Sequence, residues 1–250
     1  MKKFIIISVF IFLVSNAFSQ SISPKDSLSF FSLSTNIGIQ IPASDIANRF
    51  GVNSNIGLGI LYKKKSNLLL GISGTFLFGN NVKEDNLING ILNENEQIVD
   101  YNGQIATIRI FERGFQAYGH IGKIFPVFNS NPNSGIILLL GSGVLQHKIF
   151  YESIGERTPQ LSDEYKKGYD RLSNGLSLNQ FIGYIHFNNN KKINFYAGFD
   201  FSQAWTKNRR SYNFDTMSAD NTLYFDSLNW FKTAWILPLY KKSKNQFFYY

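Results

Sequence analysis

The chain has 250 residues, a formal net charge of +8, 24 Phe, 13 Tyr and no cysteine. Without cysteine there is no disulfide framework, no lipid-modified N-terminal Cys and no Cys-ligated metal site. Aromatic residues make up 16%, high for a soluble domain, yet beyond the N-terminus no apolar run is long enough for a spanning helix; strands facing lipid on one side satisfy both facts.

Residues 1–19, MKKFIIISVFIFLVSNAFS, read as a secretory signal. Lys2 and Lys3 precede an apolar stretch from Phe4 to Val14, and Ala17 and Ser19 place cleavage between Ser19 and Gln20. Losing those two lysines lowers the net charge from +8 to +6. In an exported chain this surplus is no nucleic-acid signal, and no nucleic-acid partner is expected. Residues 20–29 are then a periplasmic N-terminal segment, 30–240 the body, and 241–250 a periplasmic C-terminal tail.

The body breaks into eight segments with the two-residue period of a strand that has one apolar face. In the first, residues 31–41, Phe31, Leu33, Thr35, Ile37, Ile39 and Ile41 share one face, with Ser32, Ser34, Asn36, Gly38 and Gln40 on the other. Residues 52–62 set Val52, Ile56, Leu58, Ile60 and Tyr62 against Asn53, Asn55, Gly57 and Gly59; residues 67–79 set Leu68, Leu70, Ile72, Phe76 and Phe78 against Gly71, Ser73 and Thr75. Residues 113–124 oppose Phe115, Ala117 and Ile121 to Gln116, Tyr118 and His120. Residues 134–149 and 175–187 are the fifth and sixth, and their patterns leave the facing open. NFYAGFDFSQAW (194–205) and DSLNWFKTAWIL (226–237) complete the set. About ten residues each is the length of a tilted strand that crosses a bilayer.

The connections alternate. KKKSN, FNSNPN and NNNKK are short, whereas residues 80–104, 150–175 and 206–222 are long; the first, PASDIANRFG, is intermediate, with a helical turn expected at Ser44–Phe50. Short periplasmic turns and long outer loops alternate in this way in outer-membrane barrels. The expected fold is therefore an all-β, eight-stranded antiparallel up-and-down transmembrane barrel, too narrow to leave its lumen unfilled. Phe and Tyr near the strand ends, with Trp205 and Trp235, would form the aromatic girdles. Lys63, Lys64, Lys65, Lys191 and Lys192 in the short turns, and Lys241, Lys242 and Lys244 in the tail, fit solvated turns or attraction to anionic lipid heads.

A signal ending in Ser19 and Gln20, eight short strands and the aromatic C-terminus QFFYY resemble the small outer-membrane β-barrel proteins of Bacteroidota. PASDIANRFG, EYKKGYDRLSNG and WFKTAWILPLY look like segments of that group. Its PorT-like barrels are associated with type IX secretion and gliding machinery, so the resemblance implies an accessory envelope role; it transfers no functional residue. Asp26-Ser27-Leu28, Asp215-Thr216-Met217 and Asp226-Ser227-Leu228 are similar to the short O-glycosylation sequence of that phylum, with Thr216, in an outer loop, the best placed.

Chemistry is sparse. His120 and His186 fall toward one end of the barrel and His147 toward the other, so they do not share a metal; no HExxH, GxSxG, phosphate-cradling Gly loop or EF-hand occurs, and no cofactor is implied. His147, Ser153, Asp163, Asp170 and Asp215 reach the outer rim without diagnostic spacing. YKKGYDR (165–171) and Arg209-Arg210 are candidates for a partner or lipopolysaccharide phosphate. On the seventh strand the inward face carries Asn194, Tyr196, Gly198, Asp200 and Ser202. On the eighth, with Phe231, Thr233 and Trp235 toward lipid, Asp226, Trp230 and Lys232 turn inward. The expectation is an Asp200–Lys232 ion pair, with Glu112, Gln116 and Tyr118 extending the network and plugging the barrel. The resulting function is a non-enzymatic outer-membrane barrel, an accessory or structural subunit of an envelope secretion or assembly complex. Its partners would be outer-membrane lipid, lipopolysaccharide and other envelope proteins. The alternatives are an outer-rim lipid-modifying or hydrolytic enzyme built on His147 or Asp170, and an adhesion barrel acting through its long loops.

Overall fold

The computed structural model describes residues 27–84, 87–127, 131–154, 158–188 and 194–239. Ser19, Gln20, Lys191, Lys192, Lys241, Lys242 and Lys244 lie outside the described residues. The strands are β1 (Phe30–Ser44), β2 (Asn53–Lys63), β3 (Leu68–Gly79), the two-residue β4 (Ile98–Val99), β5 (Ile105–Pro126), β6 (Gly135–Ile154), β7 (Ser173–Phe187), β8 (Asn194–Asn208) and β9 (Leu223–Leu239). Eight of them pair antiparallel with their neighbours, and two pairings, β1 with β9 and β3 with β5, close the ring; β4 is an appendage of β5. Two short helices, α1 (Ile46–Arg49) and α2 (Asp163–Tyr169), sit in the intermediate first connection and in the long one between β6 and β7. Among the described residues no helix is long and apolar enough to cross a membrane.

The register fixes the size of the barrel. Following directly paired residues around the wall leads from Phe31 through Tyr62, Leu70, Ile121, Leu140, Gln180, Phe201 and Asn229 back to β1 at Ile41, a shear of 10 residues on eight strands. With ordinary strand spacing and rise, this shear tilts the strands about 41° and sets a radius of ~8 Å. One circuit climbs about 25 Å along the axis, ~3 Å per strand crossed. Side chains fill an interior of that width.

The alternation read from β1, β2 and β3 is the observed facing. Ile37, Ile39, Leu58 and Ile72 project outward and are exposed, while Ser32, Ser34, Asn36, Gln40, Asn53 and Asn55 turn in and are buried. β6 and β7, whose facing the pattern left open, put Ile136, Leu140, Val144, Leu176, Leu178 and Ile182 outside. Exposed apolar residues thus belt the wall between the levels of Phe31 and Ile41. This inversion, apolar out and polar in, is the signature of a barrel whose outer solvent is hydrocarbon.

β5 and β6 differ from expectation in length. They run 22 and 20 residues, against the predicted 113–124 and 134–149, and above the end of β3 they continue as a two-stranded ribbon from Glu112–Ile149 to Thr107–Ile154. There the contrast between faces reverses: Arg109 and Glu152 lie on the outward side, with Arg113 and Lys148 just below them, while Ile108, Ile110, Ile149 and Tyr151 turn inward into the apolar cluster at the long-loop end. The predicted helical turn is α1, shorter than Ser44–Phe50, held by Phe50 N donating to Ile46 O and by a bridge from Phe50 to Val82.

The short-turn end is closed by asparagines and one lysine. Asn67 takes the left-handed backbone (φ 61°) that ends the tight turn from β2 to β3, a conformation Asn tolerates better than most residues. Its side chain accepts from Ser27 Oγ and donates to Pro132 O, joining the chain start to the next short turn. Lys63 departs from the reading of a solvated turn lysine: it is 1% exposed. Its Nζ donates to Ser27 Oγ (2.9 Å) and Leu28 O (3.1 Å) and lies over the Phe30 ring. Its place in the alternation, inward at the end of β2, puts it there.

Candidate functional site

The lumen has three layers. At the short-turn end Phe30, Leu69, Ile124, Ile137, Phe181 and Ile185 belong to one apolar cluster. At the long-loop end Ile46, Phe50, Leu77, Leu145, Ile149 and Tyr151 belong to a second. Between them lies a polar stratum around Asp200, which is 1% exposed. Lys232 Nζ donates to Asp200 Oδ2 at 3.2 Å, and Asn179 Nδ2 donates to Asp200 Oδ1 at 2.5 Å and to Ser202 Oγ at 3.0 Å. The ammonium also sits 5.0 Å from the Trp230 ring centroid and 5.8 Å from that of Phe181. Such placement stabilises a cation held away from water. Trp230 fits because β1 carries glycine beneath it: a Cβ at Gly38 would stand 2.2 Å from the Trp230 ring.

The residues proposed to extend this network divide. Tyr118 is in the stratum, its hydroxyl 2.8 Å from Ser177 Oγ. Gln116 is buried beside it, but its Nε2 has no partner among the described residues; Asn36, Gln40 and Asn55 likewise turn into the layer amides that no described residue pairs. Glu112 does not join Asp200 and Lys232. Six residues along β5 from Tyr118, it lies ~15 Å higher and accepts from Asn53 Nδ2 at 2.9 Å. Reading parity on one strand gives the face and says nothing of depth on the neighbours.

The long-loop end holds a second polar group that sequence reasoning did not assemble. His147 Nε2 is 2.9 Å from Asp226 Oδ2, which also accepts from Thr206 Oγ1 at 2.6 Å. All three are buried among the side chains of the upper apolar cluster, with the Phe50 ring edge-on to His147, so His147 is not a rim residue. Above it the three long connections and the intermediate first one are tied by ion pairs. Arg49 beside β2 meets Glu84 of the second connection at 2.5 Å. Arg171 of the third meets Glu84 at 2.6 Å and pairs with Asp215 of the fourth. Arg210 grips Asp170 with two bonds, 2.7 and 2.6 Å. Arg49 also donates to Ser173 Oγ and Arg171 O. The bonds to Asp170 hold the Arg210 guanidinium above its ordinary pKa. Burial pulls Arg171 down, but Asp215 and Glu84 outweigh it. These pairs join residues from 35 to 124 positions apart, a distance at which no sequence spacing betrays them.

The remaining candidates are dispersed. Ser153 Oγ is 2.7 Å from Thr158 Oγ1, Asp163 opens α2, and His120 Nε2 is 2.7 Å from Ser73 Oγ. His186 stacks obliquely on Phe195 near the short-turn end. No group of three or more His, Asp or Glu among the described residues is placed to hold a metal. Thr216 is exposed in the loop before β9, its Oγ1 accepting from Ser218 Oγ. An outer cleft of about 710 Å³ opens between Tyr101, Phe150, Glu152, Thr158 and Lys166, without a nucleophile–base pair.

No family model matches the chain, and no curated protein matches it. Among solved structures it is similar to Neisserial surface protein A, at 10% identity over 83% of this chain and 96% of that one, with a TM-score of 0.41. It is also similar to Ail, the attachment invasion locus protein of Yersinia pestis, at 11% identity over 84% and 99%, with a TM-score of 0.38. A structure of Ail with the heparin analogue sucrose octasulfate aligns at 12% identity and a TM-score of 0.36. The assignment of an eight-stranded closed barrel rests on the strand pairing of this chain itself.

Proposed function

We propose that the protein is a non-enzymatic outer-membrane barrel that conducts nothing through its lumen and works through its surfaces, as an accessory or structural subunit of an envelope secretion or assembly complex. One observation carries this reading: a wall belted by outward apolar residues encloses a lumen packed from end to end, with apolar clusters above and below a buried ion pair. Hydrocarbon outside explains the belt, and the packed lumen leaves the protein no internal work. The short-turn end then faces the periplasm and the long loops face outward, against lipid and lipopolysaccharide. The secretion or assembly role follows the resemblance to PorT-like barrels of Bacteroidota.

An outer-rim enzyme is disfavoured because its two leading residues are occupied, His147 buried against Asp226 within the apolar cluster and Asp170 in the grip of Arg210. Adhesion through the loops keeps a supporting observation, since the ion pairs among Arg49, Glu84, Arg171 and Asp215 make the outer loops one preorganised platform. The deciding experiment is mild detergent extraction of affinity-tagged protein from native membranes. Stoichiometric co-purification of larger envelope proteins supports the accessory role. Recovery without them, together with surface binding lost on loop deletion, supports adhesion instead.

A further inference from the structure

The apolar belt is interrupted on one side. Gln180 on β7, Gln203 on β8 and Asn229 on β9 all project outward and are half-buried against the wall. Gln180 and Asn229 lie on the circuit that climbs from Phe31 to Ile41. By the rise per strand, Gln180 stands about 15 Å up a belt ~25 Å tall, near its middle, with Asn229 and Gln203 within the next ~10 Å. Gln180 Nε2 donates to Gln203 Oε1 at 2.9 Å. That one bond leaves Gln180 with a second N–H and its carbonyl oxygen, and Gln203 with both N–H donors. The outward positions on β1, β2, β3 and β5 that face the belt carry Phe, Leu, Ile, Tyr, Thr, Ser, Ala or Gly, with Lys123 and Arg113 toward its two edges, and no carboxamide. Acyl chains offer no partner for an amide, and each polar group left facing them is costly.

We propose that the β7–β9 face is the contact surface for a second copy of this chain in the membrane, with the amides of the two copies bonding across a two-fold axis along the membrane normal. The choice of occupant follows from depth and chemistry. Two copies inserted in the same direction present Gln180, Gln203 and Asn229 at identical depth, and a primary amide is its own complement, donor to acceptor in both directions. A different protein would need amides placed independently at the same level. Close to these groups, Ile182, Phe199, Phe201 and Phe231 supply apolar area for the contact.

This inference rests on the membrane reading above, and the test separates the two. The chain has no cysteine, so single cysteines report position without background. Phe199→Cys on the proposed face and Leu58→Cys on the far side of the ring are expressed in the full chain, and intact membranes are treated with a short thiol-specific bis-maleimide. A covalent dimer is expected from Phe199→Cys and not from Leu58→Cys. Adding Gln180→Leu and Gln203→Leu to Phe199→Cys is expected to lower the dimer yield several-fold while the heat-shifted gel band of the folded barrel persists. Absence of a dimer, equal yields at both positions, yields unchanged by the leucines, or a cross-link to another protein overturns the proposal. Release of the protein by an alkaline wash of the membranes overturns the membrane reading itself.

Discussion

Removing Asp200 strands a buried cation. Lys232 is 6% exposed, and Asp200 is its sole carboxylate partner among the described residues. In Asp200→Ala the ammonium keeps the Trp230 and Phe181 rings, an attraction of about 1–2 kcal/mol, but loses its counter-charge. Breaking a buried pair from one side costs ~3–5 kcal/mol; with the rings retained, the loss should fall at the lower end, about 3 kcal/mol, or ~150-fold in the unfolding equilibrium. Lys232→Met leaves Asp200 its bond from Asn179 and should cost a similar amount. The double mutant, with no unpaired charge, should cost well below the sum, giving a coupling of roughly 2 kcal/mol or more. Urea unfolding in lipid vesicles, followed by tryptophan fluorescence and by the heat-dependent gel shift, measures all four corners of the cycle. A coupling under about 0.5 kcal/mol, within the additivity of independent sites, would refute the placement of these side chains against each other.

Other perturbations have equally definite outcomes. Arg171→Ala leaves Asp215 without its cation while Glu84 keeps Arg49, and the stranded buried acid costs about 1–3 kcal/mol locally; trypsin should cut at Lys166 and Lys167 several-fold faster in the folded barrel, and an unchanged rate would deny the loop platform its rigidity. Gly38→Val drives a side chain into the Trp230 ring and should lower stability by ~1–3 kcal/mol by overpacking, read as a lower urea midpoint. At Asn67, glycine keeps the φ of 61° and loses the bonds to Ser27 and Pro132; Asn67→Gly should cost about 1–2 kcal/mol, and Asn67→Ala ~1 more for the left-handed backbone. Burial raises Asp220, but the Thr222 N–H and the Tyr224 hydroxyl outweigh it and hold its pKa below the ordinary 3.8. Because the folded value is the lower one, its contribution is complete above the unfolded pKa and disappears as pH falls through the folded one. Tightening of the loop before β9 should therefore be constant at neutral pH and lost only in acid, which amide hydrogen exchange of Thr222 can follow.

The strand count, the alternation of short and long connections and the inward facing of Asp200, Trp230 and Lys232 were legible because a barrel wall has one rule, a period of two, repeated eight times. Each strand declares its two faces without reference to any other. Depth is a property of pairs of strands, set by a shear that no single segment records, and Glu112 was accordingly grouped with Asp200 when the register separates them. The ends of β5 and β6 escaped for a related reason: the signal for a strand here is an apolar outward face opposite a polar inward one, and above the belt that contrast reverses, with Ile108, Ile110, Ile149 and Tyr151 turned inward and Arg109 and Glu152 outward. The ion pairs of Arg49, Glu84, Arg171 and Asp215 lie in loops with no period at all. Lys63 could have been found, since its parity with Leu61 and Gly59 already aimed it inward.

That same limit of parity suggests why a carboxylate and an ammonium are kept inside a wall that apolar residues would fill more cheaply. Slipping β9 by one residue would turn Phe231 and Trp235 into the lumen and Lys232 into lipid, so the belt itself forbids it. A slip of two preserves every facing, and the belt does not resist it. The polar stratum does. Lys232 lies opposite Gly198, one diagonal step from Asp200. A slip of two one way carries the ammonium opposite Tyr196, four positions along β8 from Asp200 and out of reach. Slipped either way, the Trp230 ring leaves Gly38 and meets the side chain of Asn36 or Gln40, which flank that glycine on the inward face of β1. Ion pair and glycine notch together specify one register among those the lipid accepts. The buried charge at the centre of NFYAGFDFSQAW is thus a device for closing the barrel in a single way, and the chemistry left for partners is on the outside.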